Sequence, residues 1–393
     1  MEENRASLTW KYLGFEIFVL LLSCAAVFGL SFWQNGANMV VAVRDACMAL
    51  IGTAVTGFVL RREFLTDQLD CDNAEHLFRF WTSYIAGILF VLCSVFLPVA
   101  GWPYPVVFVM LALFSDRIVG IVAASSLLML STLVTGSAGS IFLLYFVSGV
   151  FAVILFGKPE QEWKIAAPLL LSLLCLLLLE TANVILTANE KIGMESFVIP
   201  LVNLIVTGLL MMTLLKIYSG RVLYRYHMKY QELNDTENPV LVQMRKTSRG
   251  EYFRCIHTTY FCERIAGKLN MDVEALKCAG YYHRIGDLNE VCETLDFPPR
   301  AKEILQEYAT YKTKPVKRRE TAVLILSDMV ISTMLYLIAK TPDKQPDCDQ
   351  VIGAVFEQIQ KNGTFDHSDL TLNELRIIQK TFREEKLYYD FLR

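Results

Sequence analysis

The chain has 393 residues, of which 54% are hydrophobic and 20% charged, with a mean hydropathy of +0.38. Soluble domains average about 45–50% apolar and about 25% charged residues, so the chain is not one ordinary soluble globule. A net charge of −3 provides no electrostatic footprint for nucleic acid.

Charge is unevenly placed. Residues 1–217 hold 11 of the 37 Lys+Arg and 15 of the 40 Asp+Glu, which leaves 26 and 25 for residues 218–393. An oily part therefore precedes an ordinary soluble part. A helix needs about 20 apolar residues to cross the hydrocarbon core. Hydropathy predicts eight spans, at about 11–33, 39–60, 79–100, 103–115, 118–135, 138–156, 164–187 and 195–217. The fourth is short and meets the fifth at Ser115-Asp116-Arg117. Arg61-Arg62, Arg117, Lys158 with Lys164, and Lys216 with Arg221 fall on alternate connections. By the positive-inside rule, eight spans place these connections and both termini in the cytoplasm. Lys191 is the exception, in an external loop shared with Glu190 and Glu195. The first apolar run has no A-x-A cleavage site and continues past a faint lipobox ending at Cys24, so it reads as an uncleaved span.

Ionisable groups within the spans are Glu16, Arg44, Asp45 and Glu180. Such residues are functional candidates by default. Arg44 and Asp45 read as a self-neutralised pair near a span end, and Glu180, one turn from Asn183, as a partner in an interhelix hydrogen bond. No pattern of repeated midplane carboxylates supports a transporter. The ten cysteines form no C-x-x-C pair and read as reduced thiols.

Residues 218–238 read as a polar juxtamembrane linker. Beyond it, apolar periodicity predicts helices at about 239–247, 250–269, 272–284, 298–310, 317–340, 348–361 and 371–391. Asp272 precedes a helix, Gly363 follows one, and Thr371 with Glu374 forms a capping box. No alternating strand pattern occurs. The fold class is all-α: a polytopic transmembrane helical domain followed by a cytoplasmic helical bundle.

One string carries chemistry: Tyr281-Tyr282-His283-Arg284-Ile285-Gly286-Asp287. It resembles the YYHDIGK motif of HD-domain phosphohydrolases. The whole chain resembles the seven-transmembrane HD family, the PgpH-type cyclic di-AMP phosphodiesterases. Gln231-Glu232-Leu233-Asn234 and Asn238-Pro239-Val240-Leu241 match its linker and first HD helix, and Gly250-Glu251-Tyr252 matches its G-T-Y. Ala322–Ser332, with Asp328, matches its A-A-I-L-M-L-A-D segment, and Gly363–Leu372 its D-G-Q-L-D-E-S-P-L-T stretch. The resemblance implies a bacterial inner-membrane protein in four parts. These are an N-terminal helix with a short external loop (1–38), a seven-helix membrane domain (39–217), the linker (218–238) and an HD-like domain (239–393).

Two departures matter. The family carries an external sensor domain after its first helix, whereas here only Gln34 to about Asn38 separate the first two spans. The metal site is also largely substituted. HD enzymes hold two divalent metals that activate a water for attack on phosphorus. The resemblance places the family's first histidine pair on Phe253 and Arg254, the HD pair on His283-Arg284, and the later His-His pair near Glu307-Tyr308. The segment carrying another histidine is shortened to Asp287–Pro298. Only His283 and Asp328 stand where ligands are expected. The whole chain has five histidines, of which His257, His283 and His367 lie in this domain. Arginine does not deprotonate in proteins, so Arg254 and Arg284 would put fixed positive charge where metals sit.

These substitutions imply a non-catalytic, regulatory domain without a metal cofactor, binding a cytoplasmic protein or a cyclic dinucleotide, with the bilayer as the other partner. Arginine is expected to replace the metals against Asp328. The alternative is an active phosphodiesterase using Mn or Fe in an unusual shell. The basic run Lys312, Lys314, Lys317, Arg318 and Arg319 reads as a solvated face, or as contacts to lipid headgroups or nucleotide phosphates.

Overall fold

The computed structural model describes residues 2–65, 69, 73–74, 76–156, 165–187, 193–286, 288, 291–292, 295–340 and 346–389, with side chains outside 2–12 and 386–387. The sequence expectations for Lys158, Lys164, Glu190 and Lys191 lie outside the described residues. All the regular elements described are helical, and they separate into two compact units, residues 1–224 and 225–393.

The first unit contains α1 (Glu2–Gln34), α2 (Met39–Leu65), α3 (Leu77–Ser94), α4 (Tyr104–Leu113), α5 (Arg117–Thr135), α6 (Gly139–Phe156), α7 (Ala166–Thr187) and α8 (Val198–Tyr218). Hydropathy located these helices because a lipid-facing helix has to be apolar along its whole length, and large side chains such as Phe18, Phe58, Leu170 and Leu209 are indeed exposed on them. Of the four ionisable residues, Glu16, Arg44 and Asp45 are neutralised locally. Glu16 pairs with Arg61 at 2.7 Å, and Asp45 takes Arg44 at 2.7 Å and the Ser31 hydroxyl at 2.6 Å.

The fourth span needs correction. The segment 103–115 contains only ten helical residues, a rise of about 15 Å against a hydrocarbon core of about 30 Å. The chain covers the remaining distance as the non-helical segment 95–103, interrupted by one tight turn at Val99–Gly101. Non-helical backbone at membrane depth is tolerated only inside protein, and here it is enclosed. The Trp102 indole donates to Ser94 O (3.2 Å), the Tyr145 hydroxyl to Val99 O (2.8 Å), and the Asn203 amide to Trp102 O (3.3 Å). Asn73, just ahead of α3, donates to Leu113 O and Ser115 O, both at 3.0 Å. The end of α4 therefore lies level with the beginning of α3, so the connection does cross the layer. Two glycines let neighbours close on α4: a Cβ on Gly120 would strike the Ala112 backbone, and one on Gly149 the Phe108 ring.

Eight described helices are long and apolar enough to span a membrane, and they are not the eight expected ones. Seven are α1–α3 and α5–α8; the eighth is Arg319–Lys340, in the second unit.

The second unit contains α9 (Tyr224–Leu233), α10 (Pro239–Thr247), α11 (Arg249–Leu269), α12 (Val273–Tyr282), α13 (Pro299–Thr310), α14 (Arg319–Lys340), α15 (Cys348–Asn362), α16 (Leu372–Glu384) and α17 (Lys386–Tyr389). Local signals set the boundaries. Asp272 accepts from Ala275 N, Thr371 and Glu374 cap α16 reciprocally, and Gly363 closes α15 at φ 62°. α14 is the axis of the bundle, packed by α11, α12, α13 and α15. This explains its span-like hydropathy, since a helix covered on all sides is apolar all round.

Two expectations shift. The linker 218–238 contains α9, whose Tyr226 and Tyr230 are buried and whose residues from Arg225 onward count with the second unit. The helix expected at 371–391 stops at Glu384. Beyond the break Tyr388 stacks flat on Tyr260 of α11, with ring centres 3.7 Å apart, and Tyr389 donates back to Phe382 O at 3.1 Å.

Candidate functional site

The second unit buries one carboxylate at its axis. Asp328 lies midway along α14 and is 5% exposed. Five donors converge on it. Arg284, just past α12, grips it as a fork: Nε donates to Oδ1 and Nη2 to Oδ2, both at 2.9 Å. The Tyr308 hydroxyl from α13 donates to Oδ2 at 2.8 Å, and the Ser332 hydroxyl, one turn along α14, to Oδ1 at 3.1 Å. His283 Nε2 lies 3.3 Å from Oδ1.

Backbone geometry delivers these groups. Gly280 has no Cβ, and one placed there would press into Thr259; α12 can therefore lie close against α11. Its carbonyl receives His283 Nδ1 at 2.7 Å. The His283 ring is thus held by a carbonyl on one nitrogen and a carboxylate on the other, with the Cys255 sulfur 3.8 Å from Nδ1. Both ring nitrogens face acceptors, and the imidazolium donates from both. Burial pushes the ring's pKa down, but the Cys255 sulfur and the Asp328 carboxylate push it up further, to about 10. Burial would likewise raise the Asp328 carboxyl; the His283 hydrogen bond and charge, the Arg284 charge and the Tyr308 hydroxyl hold it well below the usual carboxylate range. Burial and the adjacent Asp328 charge raise Tyr308, which remains a donor.

The charges continue outward in alternation. Arg284 Nη1 donates to Glu251 Oε2 at 3.0 Å, and Arg254 Nη1 donates to Glu251 Oε1 at 3.1 Å. The order is Arg254, Glu251, Arg284, Asp328, His283, from half-exposed surface to buried core.

Of the residues singled out in the sequence, His283, Arg284, Tyr308 and Asp328 meet directly. Arg254 joins through Glu251. Glu307 does not join: it accepts the backbone N–H groups of Lys317 (2.7 Å) and Arg318 (3.4 Å) ahead of α14. Phe253 is 41% exposed, beneath the Arg249 guanidinium. His257 accepts or donates a hydrogen bond at Tyr388 (2.8 Å) instead of approaching Asp328. The basic run divides, because Arg318 pairs with Glu303 at 2.8 Å and Arg319 with Glu374 at 2.6 Å. Lys312, Lys314 and Lys317 are exposed. Sequence reading missed Glu251 and Ser332 as site members. Glu251 sits one turn from Arg254 and Ser332 one turn from Asp328, and i,i+3 or i,i+4 spacing to a charged candidate was the available signal.

The donor set does not fit a divalent metal. Asp328 has about four lone-pair positions, and five donors already address them. Arg284 cannot release its proton, and His283 donates from the nitrogen a metal would need. Among the described residues no group of three or more His, Cys, Asp or Glu side chains is placed to hold a metal ion.

No family model and no curated protein matches the chain. Among solved structures, it is similar to the crystal structure of the HD domain of the L. monocytogenes phosphodiesterase PgpH, at 17% identity and a TM-score of 0.32, over 39% of this chain and 100% of that one. A TM-score this low carries no argument about the chain.

Proposed function

We propose that this is a multi-pass membrane protein whose second unit is a degenerate HD domain, non-catalytic and regulatory, that binds a cytoplasmic protein or a cyclic dinucleotide without cutting it. The membrane layer is the bacterial inner membrane, with both termini cytoplasmic. The observation that supports this reading is the Arg284 fork on Asp328. A hydrolytic HD site needs this carboxylate as a metal ligand, and a bidentate guanidinium is the group best shaped to occupy both its oxygens. The lock neutralises the core charge and makes the site structural. Exposed Lys312, Lys314 and Lys317 remain available to anionic groups.

The test uses full-length protein in detergent. It is loaded with Mn²⁺ or Fe²⁺, desalted, analysed for metal and assayed with cyclic di-AMP. The reading expects no retained metal and no product. Stoichiometric metal with hydrolysis that disappears in Asp328→Asn would replace it with the metal-dependent phosphodiesterase.

A further inference from the structure

The membrane unit also holds a buried carboxyl with no arginine beside it among the described residues. Glu180, on α7, is 2% exposed. Its Oε1 accepts from the Asn203 amide of α8 at 2.5 Å. Its Oε2 is buried and has no hydrogen-bond partner among the described residues. The interhelix hydrogen bond expected of Glu180 is the one from Asn203.

Glu180 differs from the two other acids the sequence singled out within the spans. Glu16 and Asp45 each have an arginine at 2.7 Å. Among the described residues, the elements neighbouring Glu180 offer no cation. From α6 the titratable side chain near it is Tyr145, itself an acid, and its hydroxyl is committed to Val99 O at 2.8 Å. From α8 come Asn203 and Thr207, both uncharged, with the Thr207 hydroxyl donating to Asn203 Oδ1 at 3.2 Å. Glu195, in the turn before α8, is exposed. An ionised carboxylate at membrane depth with one amide donor and no counter-charge is among the costliest arrangements, and such a group neutralises instead. A carboxylic acid needs no counter-charge.

The position of this acid gives it a role. The Asn203 amide that holds Glu180 also reaches Trp102 O, at 3.3 Å, in the non-helical segment ahead of α4. Broken helices beside a buried acid are where membrane proteins place ion sites. Both carbonyls of the segment that face this cluster, Val99 O and Trp102 O, already accept hydrogen bonds, which disfavours a dehydrated alkali cation and favours a proton. We propose that Glu180 is a reversible proton-binding site of the membrane unit, occupied at neutral pH and linked through Asn203 to the backbone of segment 95–103. Loss of the proton leaves a carboxylate that competes with Trp102 O for the Asn203 amide, so the broken segment senses the charge.

The test uses the full chain in lipid nanodiscs. A hydrophobic carbodiimide reacts with protonated carboxyls in apolar surroundings, and peptide mass spectrometry locates the adduct. The expected result is labelling at Glu180 at neutral pH that falls as pH is raised and does not change when choline replaces sodium. Infrared spectra require no reagent entry: a protonated-carboxyl C=O band should be present in wild type and missing from Glu180→Gln at the same pH. The band alone supports the proposal if the reagent fails to reach the site. Identical wild-type and Glu180→Gln spectra at neutral pH would overturn it. Loss of the band or the adduct on adding sodium at fixed pH would also overturn it and assign the site to a metal cation.

Discussion

Replacing Asp328 with alanine separates a structural lock from a disabled metal site. The change leaves five donors without their acceptor: Arg284 twice, His283, Tyr308 and Ser332. Removing one partner of a buried ion pair costs about 3–5 kcal/mol. Two features place this case at the lower end. The Arg284 side chain is 25% exposed and keeps Glu251, and His283 can shed its proton once the carboxylate is gone. The expected loss is about 3 kcal/mol. For a domain of about 150–250 residues each kcal/mol moves Tm by about 2–4 °C, so the second unit should melt about 6–12 °C lower. Cys262 and Cys278 are fully buried in this unit. Their labelling by a thiol reagent during heating, read by mass spectrometry on the full-length protein, reports its unfolding separately from the membrane unit. EDTA should leave the wild-type transition in place. A carboxylate poised for a metal behaves in the opposite way, because its removal relieves a charge that only the metal compensates. A loss under about 1 kcal/mol, a rise in Tm, or a wild-type transition lowered by EDTA would refute the lock.

Arg284→Lys keeps the charge but loses the planar fork, and should cost about 1–2 kcal/mol by the same labelling assay; a neutral result would show that charge alone suffices. His283 contributes stability with a definite sign. Its folded pKa, about 10, lies above the ordinary 6.5, so its contribution is complete below pH 6.5 and is lost as pH rises toward 10. Between pH 6.5 and 8.0, below the ordinary thiol value of 9.0, wild type should lose up to about 1.4 kcal/mol per pH unit, and denaturant titrations of His283→Gln should be flat by comparison. For topology, alkaline phosphatase fused after Ser137 should be active and after Arg393 inactive; activity at Arg393 would overturn the orientation.

The helices of both units were legible because their signals are local. Lipid contact demands long apolar runs, and residues such as Asp272, Gly363 and Thr371 satisfy orphan backbone groups within one turn of themselves. The break at Glu385 was not legible. The amphipathic pattern runs on past it, and the stacking of Tyr388 on Tyr260 that turns the chain joins residues far apart in sequence. The site was half legible. The string around His283 and the Asp of α14 stood out by chemistry and resemblance, whereas Glu251 and Ser332 are ordinary polar residues until the helices that carry them converge.

By itself, then, the amino-acid sequence determined the division into an apolar and a polar half, the all-helical class, most helix ends and, as an expectation, an arginine (Arg254 or Arg284) against Asp328. Each follows from hydropathy, capping or charge within reach of a turn or a motif. Tertiary structure alone decided which apolar helices belong together. α14 is as apolar as a membrane span, with a hydropathy of 2.1 equal to that of α5, yet it is the axis of the second unit because four helices cover it. α4 is too short to span, yet its segment crosses because Tyr145, Asn203 and Asn73 satisfy the backbone around it. Hydropathy measures what a helix avoids, which is water; whether lipid or protein replaces that water depends on neighbours that only the folded chain supplies.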